Sequence, residues 1–390
     1  MTLPIACDLL KTPLHDAHLR AGAKLVPFAG WAMPLQFSRV MEEHRAVRER
    51  AGLFDISHMG LACVRADDWE RARLALEPLV PRDLSRLTPG KAVYTQFLND
   101  AGGILDDIIV YRLAEREARF DAAALIICNA ANAQADLAWM RRHLPSGVEA
   151  ALTTEYALLA LQGPQFASVL AALGVSAERL PPRFHSAWVE IPGQEAGPLR
   201  SPLSVWLSRT GYTGEDGVEI AVAHERAANL WQALLQAGEA IEMLPVGLAA
   251  RDTLRLEAAL PLHGQDITPE DTPLEAGLGW SLSLDKPIAF IGREALRRQQ
   301  EKGLARNLYC LKLLKKTIAR PHDALLKAGE AVGAVTSGSI SPTLNEPIAM
   351  GYLQAGAVSG PGDAVEAQIR GQRAPAVIVP RPFYRATQQR

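Results

Sequence analysis

Cysteine is scarce in this chain, and what there is shows no pairing pattern. The 390 residues hold four, Cys7, Cys63, Cys128 and Cys310, with no Cys-x-x-Cys among them. That spacing fits neither a zinc knuckle nor a dense disulfide framework and points to reduced thiols. A surplus of charge is also missing, because 41 Lys and Arg face 43 Asp and Glu for a net charge of −2. Proteins that coat nucleic acid carry a basic excess, so that class is disfavoured. No uninterrupted apolar run reaches the length of a membrane span. Met1 to Arg20 carries Asp8 and Asp16 and no long apolar core, which fits neither a secretory signal nor a transit peptide. The expectation is a cytoplasmic protein without a nucleic-acid or membrane partner.

Several catalytic signatures are absent as well. The chain has no G-x-x-x-x-G-K-[ST] phosphate loop, no G-x-G-x-x-G after a strand and no H-E-x-x-H. Thr336-Ser-Gly-Ser-Ile-Ser341 is not a G-x-S-x-G nucleophile elbow. Nucleotide-driven, zinc and serine-hydrolase mechanisms have little support, and no metal is expected.

What is present alternates strands and helices without a βαβ rhythm, the mark of an α+β fold. Hydrophobic residues make up 48%, enough at this length for two or three packed domains. A turn-rich aromatic segment, Phe28-Ala-Gly-Trp-Ala-Met-Pro34, precedes a helix over Val40–Arg50, with Val40, His44 and Val47 on one face. Ala92–Asn99 and Ile104–Leu113 read as a β-hairpin turning at Asp100-Ala-Gly-Gly103. Strands at 125–128, 156–162, 205–208 and 218–222 and helices at 130–142, 225–237 and 247–260 follow. The composition shifts near 285, and an Arg/Gln-rich helix is expected at 293–302. Short strands at 307–314, 331–336, 347–354, 364–370 and 375–380 then fit a small antiparallel barrel or sandwich. The chain divides into residues 1–285 and a C-terminal domain over 286–390.

The hairpin strand Ile104-Leu-Asp-Asp-Ile-Ile-Val110 is the most suggestive local feature. Alternation places Asp106 with Ile104, Ile108 and Val110, and Asp107 with Leu105, Ile109 and Tyr111. A carboxylate among large apolar groups is costly unless it finds a partner, a ligand or water. It is therefore either held ready in a partly dry site or spent in an ion pair or turn. Other positions read blandly by themselves. Glu219, between Val218 and Ile220, suggests a solvent-facing residue on a half-buried strand. Arg251 and Arg255, one turn apart, suggest a solvated charged helix face. Asn129 suits a strand end or helix cap, and Phe28, Trp31 and Met33 suit a core.

Taken in order, these stretches resemble the aminomethyltransferase family of folate-dependent enzymes from about Thr12 to Tyr384. The resemblance is carried by Phe28-Ala-Gly-Trp-Ala-Met-Pro34, Glu43-His-Arg-Ala-Val-Arg48 and Gly52-Leu-Phe-Asp-Ile-Ser-His-Met59. Gly102-Gly-Ile-Leu-Asp-Asp107, Arg209-Thr-Gly-Tyr-Thr-Gly-Glu-Asp-Gly-Val-Glu-Ile220 and Gly247-Leu-Ala-Ala-Arg-Asp-Thr-Leu-Arg-Leu-Glu257 continue it. Phe290-Ile-Gly-Arg293, Val335-Thr-Ser-Gly338 and Ser341-Pro-Thr-Leu344 complete it.

The resemblance implies a three-domain cloverleaf with two interleaved domains, tetrahydrofolate in a central opening and a C-terminal antiparallel β-barrel. It implies that Asp107 lies beside the reactive nitrogens of folate, that Glu219 and Arg251 hold the pteridine, and that Asn129, Tyr94, Met59 and Tyr212 line the cavity. It also implies a lipoylated H-protein as the partner that delivers an aminomethyl group on sulfur. Ammonia leaves, and the carbon reaches tetrahydrofolate as 5,10-methylene-tetrahydrofolate in glycine cleavage. A carboxylate at Asp107 would stabilise the developing cation, while a carboxylate and an arginine suit the pteridine edge. The alternative on the same fold is a tetrahydrofolate-dependent demethylase of a small methylated substrate. A folate-binding accessory protein of iron–sulfur maintenance fits less well, because Leu262-His-Gly-Gln-Asp-Ile-Thr lacks that group's cysteine. The chain departs from the family's pattern at Lys315-Lys-Thr-Ile-Ala-Arg-Pro-His-Asp323, where Arg320 matches the family's arginine.

Overall fold

A computed structural model describes residues 9–117, 119–194 and 197–386, so Cys7 lies outside the described residues. Two antiparallel-rich sheets face one another, each with helices on its outer side, and a closed barrel follows. The six-stranded sheet runs in the order Ser186–Ile191, Leu203–Ser208, Gly217–Ala223, Tyr156–Gln162, Gly52–Asp55, Leu244–Pro245. The five-stranded sheet runs Ala92–Leu98, Ile104–Glu117, Ala122–Cys128, Gly60–Arg65, Glu149–Leu152. Gly52–Asp55 and Gly60–Arg65 are near neighbours in the chain but belong to different sheets, so the two halves interleave.

Three apolar clusters set these layers. One lies between the sheets, joining Phe54, Leu158, Ala160, Trp206 and Ala221 of one to Leu61, Cys63, Tyr111, Leu125 and Ile127 of the other. The other two lie outside. Helices Phe166–Ala172 and Ala227–Ala237 cover the six-stranded sheet, and Trp69–Leu76 and Ala133–His143 cover the five-stranded one. Each central strand is thus buried on both faces, and the purely apolar Ala122–Cys128 shows it.

The C-terminal barrel closes in the order Arg306–Leu313, Glu346–Gln354, Glu330–Ser341, Ala324–Lys327, Ala364–Ile369, Gln372–Val379, with every neighbour antiparallel. Five of its six strands match the expected ones. The sixth, Ala324-Leu-Leu-Lys327, has four residues and no β-branched side chain, so nothing local marks it as a strand. The expected helix at 293–302 spans Arg293–Lys302.

The aromatic segment before the first long helix is itself a hairpin, Lys24–Phe28 with Trp31–Gln36. It turns on Ala29 and Gly30, both at positive φ as a two-residue hairpin loop demands. None of the described helices is long and apolar enough to cross a membrane.

Candidate folate site

The hairpin Ala92–Leu98/Ile104–Glu117 aims two adjacent carboxylates to opposite sides of the five-stranded sheet. Its register slips between Phe97 and Leu98, pairing Phe97 with Asp106 but Leu98 with Ile104. The bulge interrupts the alternation expected for Ile104–Val110: Leu105, not Ile104, packs in the helix-side cluster with Ile108 and Val110. Asp106 points to that side and is 0% exposed. Asp107 points between the sheets, on the face of Ile109 and Tyr111.

Asp107 is held from two directions. Tyr94 pairs with Ile109 across the hairpin and so shares its face; its hydroxyl donates to Asp107 Oδ2 at 3.2 Å. Asn129 follows the strand Ala122–Cys128, and its Nδ2 donates to Asp107 Oδ1 at 2.8 Å and to Asp106 Oδ1 at 2.9 Å. One amide therefore couples carboxylates that alternation alone would keep independent. Burial first, and the neighbouring Asp106 charge second, push Asp107 up to about 6. Tyr94 in turn stacks on Trp280, with ring centroids 5.5 Å apart, and Trp280 is 63% exposed.

The opposite wall comes from the six-stranded sheet. Glu219 pairs with Ser208 and Ala160 and shares the inter-sheet face of Ala221. It is buried, at 8% exposure, because a second sheet covers the face that alternation assigned to solvent. Thr210 Oγ1 donates to its Oε2 at 2.5 Å. Burial raises its affinity for a proton, against the Thr210 hydrogen bond and the Arg251 charge.

Arg251, on the helix Leu248–Glu257, lies 4.9 Å over the ring of Tyr212, whose hydroxyl donates to Pro261 O at 2.6 Å. Among the described residues nothing accepts a hydrogen bond from its guanidinium. The solvated-face reading fails for Arg255, while Arg251 is half-buried. Arg255 is buried against Asp266 at 2.5 Å and Asp252 at 2.7 Å, because the barrel covers this face of the helix. Met59, in the turn after Ile56, packs on the inter-sheet cluster. The candidate groups thus come from both sheets and from the helix Leu248–Glu257.

Residues 14–286 match the GCVT N-terminal domain, and residues 306–385 match the Glycine cleavage T-protein C-terminal barrel domain. The chain is 46% identical over 380 residues to an aminomethyltransferase of Prochlorococcus marinus, covering 97% of this chain and 98% of that one. It is 45% identical over 394 residues to an aminomethyltransferase of Synechococcus elongatus, covering 100% of both. The crystal structure of glycine cleavage system aminomethyltransferase T from Bartonella henselae superposes with a TM-score of 0.85 at 37% identity, covering 97% and 99%. The chain belongs to the aminomethyltransferase family of the glycine cleavage system.

An aminomethyltransferase is a transferase, and the fold described above is the one this family shares. Three further side chains stand at the site that sequence reasoning did not single out. His58, beside Met59, is buried; its Nδ1 has no hydrogen-bond partner among the described residues, and burial and Arg251 push it down to about 3. It is therefore neutral at physiological pH. Asn132 donates to Asp106 Oδ1 at 2.6 Å and meets His263 Nδ1 at 2.9 Å. Trp280 stands against Tyr94. His58 and Trp280 each had only a weak signal, a polar or aromatic residue next to an apolar neighbour, which by itself reads as core.

Proposed function

We propose that this aminomethyltransferase takes its one-carbon unit from an aminomethyl group on the dihydrolipoyl arm of H-protein and passes it to tetrahydrofolate, releasing ammonia and giving 5,10-methylene-tetrahydrofolate. The observation that carries this reading is an Arg251 whose guanidinium finds no acceptor among the described residues, together with a buried Glu219 that its charge acts on. A pteridine offers what those groups lack. Its amino group and ring N–H donate to a carboxylate, and its carbonyl accepts from a guanidinium.

In this reading Glu219 and Arg251 bind and orient the pteridine, while Tyr212 supports Arg251 from below. Met59 supplies apolar contact, and the exposed face of Trp280 with Tyr94 offers a stacking surface toward the cavity mouth. Asn129 and Tyr94 fix Asp107, whose carboxylate stabilises positive charge as it develops and exchanges a proton with the folate nitrogens. An apparent affinity near pH 6 suits both tasks, because the group is mostly ionised at pH 7 yet takes up a proton readily.

The deciding experiment offers two carbon donors separately. Lipoylated H-protein bearing the aminomethyl group, with tetrahydrofolate, is expected to yield methylene-tetrahydrofolate and ammonia. Free methylated amines with tetrahydrofolate are expected to yield neither 5-methyl- nor methylene-tetrahydrofolate. Product only from the free amine would make the chain a demethylase and overturn the reading.

A further inference from the structure

Behind Glu219 stand three buried hydroxyls that the reaction scheme above does not use, those of Ser208, Thr210 and Tyr111. Two belong to the chain beside it: Ser208 pairs with Glu219 across the ladder, and Thr210 follows two residues later. Tyr111 comes from the five-stranded sheet, so the group spans the joint between the sheets. Thr210 Oγ1 donates to Glu219 Oε2 at 2.5 Å. Tyr111 Oη lies 3.1 Å and Ser208 Oγ 2.9 Å from Thr210 Oγ1, and Ser208 Oγ donates to Tyr111 Oη at 3.2 Å.

A hydroxyl has one proton and two lone pairs. The proton of Thr210 is committed to Glu219, so its oxygen can only accept from its other neighbours. Ser208 donates to Tyr111, and Tyr111 donates in turn to Thr210, so the hydroxyls point one way, toward the carboxylate. Aligned hydrogen bonds strengthen one another in a low-dielectric interior. The other carboxylate oxygen is treated differently. No described residue donates to Glu219 Oε1, and that atom is not sealed from solvent.

We propose that Thr210 is a positioning residue for folate binding, which clamps Oε2 of Glu219 with the support of Tyr111 and Ser208 and so presents Oε1 to the pteridine. This rests on the pteridine-binding role given to Glu219 above.

The backbone around Thr210 is held to match. Gln162 Nε2 donates to Thr210 O at 3.1 Å, and a Cβ on Gly211 would lie 2.0 Å from Gln162 Oε1, so the chain here packs closely on a buried side chain. The electrostatics agree. Burial raises the affinity of Glu219 for a proton, and the Thr210 hydrogen bond, then the Arg251 charge, oppose it. Tyr111 is raised above its ordinary value, by burial first and the Glu219 charge second, so it keeps the proton it donates.

Calorimetric titration with tetrahydrofolate and turnover with aminomethylated H-protein test the clamp together. Thr210→Val keeps the shape and removes the donor. Its Kd for tetrahydrofolate is expected to rise about tenfold, the worth of a hydrogen bond to a charged acceptor. Its kcat at saturating folate is expected to stay within about twofold, as for a contact made equally in ground state and transition state. Thr210→Ser restores the donor and is expected to recover most of the affinity. Without the donor Glu219 takes up a proton more readily, so folate affinity in Thr210→Val should fall away at a higher pH than in wild type. Arg251 and Tyr111, which also face Glu219, are unchanged in that comparison.

An unchanged Kd in Thr210→Val, or a loss that Thr210→Ser does not recover, overturns the proposal. If Thr210→Val does not fold, Tyr111→Phe decides. It removes only the supporting donor and is expected to weaken folate about threefold with kcat unchanged, and wild-type affinity would sink the clamp. Glu219→Gln separates the two levels. If it binds folate as wild type does, the role of Glu219 fails first and the clamp with it. If it weakens folate while Thr210→Val does not, the clamp alone fails.

Discussion

At the scale of single residues, the site turns on how differently two neighbouring aspartates are treated. Asp106 is sealed and receives three N–H donors, whereas Asp107 faces the inter-sheet space with a phenol and one amide. Asp107→Asn preserves size and its contact with Tyr94 but removes the charge. Loss of one preorganised electrostatic contact costs about 10²–10³ in rate. Contacts realised only in the transition state act on kcat more than on ground-state affinity. Turnover with aminomethylated carrier is therefore expected to fall by about that factor, with folate affinity changed far less.

The pH profile carries an independent sign. In the proposed role Asp107 acts ionised, and it is raised to about 6, so kcat/KM for the wild type should rise with pH through about 6. The residual activity of Asp107→Asn should lack that limb. Because Asn129 bridges both carboxylates, Asp106→Asn is expected to disturb rate as well as stability, and steady-state kinetics on the two variants measures how far. A limb that persists in Asp107→Asn would assign it to another group.

At the scale of elements, what sequence reveals depends on whether a strand or helix announces itself locally. The Ala92–Leu98/Ile104–Glu117 hairpin was legible because glycines mark its turn and β-branched residues fill its second strand. Gly102 sits at φ +83°, and a Cβ on Gly103 would lie 1.8 Å from Pro269 O, so the turn needs both. Gly52–Asp55 was not legible: it is four residues long and pairs with Tyr156–Gln162, about a hundred positions later. Glu219 shows the complementary limit. Alternation separates the two faces of a strand but does not say that a second sheet covers the polar one.

The helix Leu248–Glu257 is likewise defined by what packs on it. Its last residue, Glu257, accepts from Arg48 Nε at 3.0 Å, from Thr343 N at 3.0 Å and Oγ1 at 2.9 Å, and from the Ser341 hydroxyl, with His44 Nε2 at 3.1 Å. One carboxylate thus ties the helix Val40–Glu49 and the barrel to the Arg251 helix. Burial works to raise its proton affinity, but His44, Arg48 and Ser341 overcome it and hold the group down to about 2.

The linkage sign follows from that direction. A depressed carboxylate stabilises fully above its unfolded value near ~4.3 and loses that contribution as pH falls toward the folded value. Breaking a buried pair from one side costs about 3–5 kcal/mol. Arg48 keeps Glu215 at 2.8 Å, which places Glu257→Gln toward the lower end. Denaturant unfolding at pH 7 should show that loss, and the gap to wild type should close below about pH 4. A gap that is constant with pH would mean that the amide fails for shape and not for charge.

At the scale of the whole molecule, the candidate site exists only because two sheets close over a shared core. Asp107, Tyr94 and Asn129 come from one sheet, Glu219 from the other, and Arg251 from a helix pinned by the barrel. A ligand held across such a joint binds the folded state and not the unfolded chain, so it stabilises the fold by mass action. Tetrahydrofolate at one hundred times its Kd should add about 2.7 kcal/mol, seen as a rise of a few degrees in Tm.

Two variants separate binding from general stability. Arg251→Ala removes donors that find no acceptor among the described residues, so its own Tm should change little while the folate-induced rise shrinks or disappears. Glu257→Gln should start from a lower Tm yet keep most of the rise, because it loosens the joint without touching the pteridine. The site is defined by the first result and its independence from the clamp by the second. A full folate-induced rise in Arg251→Ala would take Arg251 out of the binding site, and no rise in folded wild type would remove tetrahydrofolate from this space altogether.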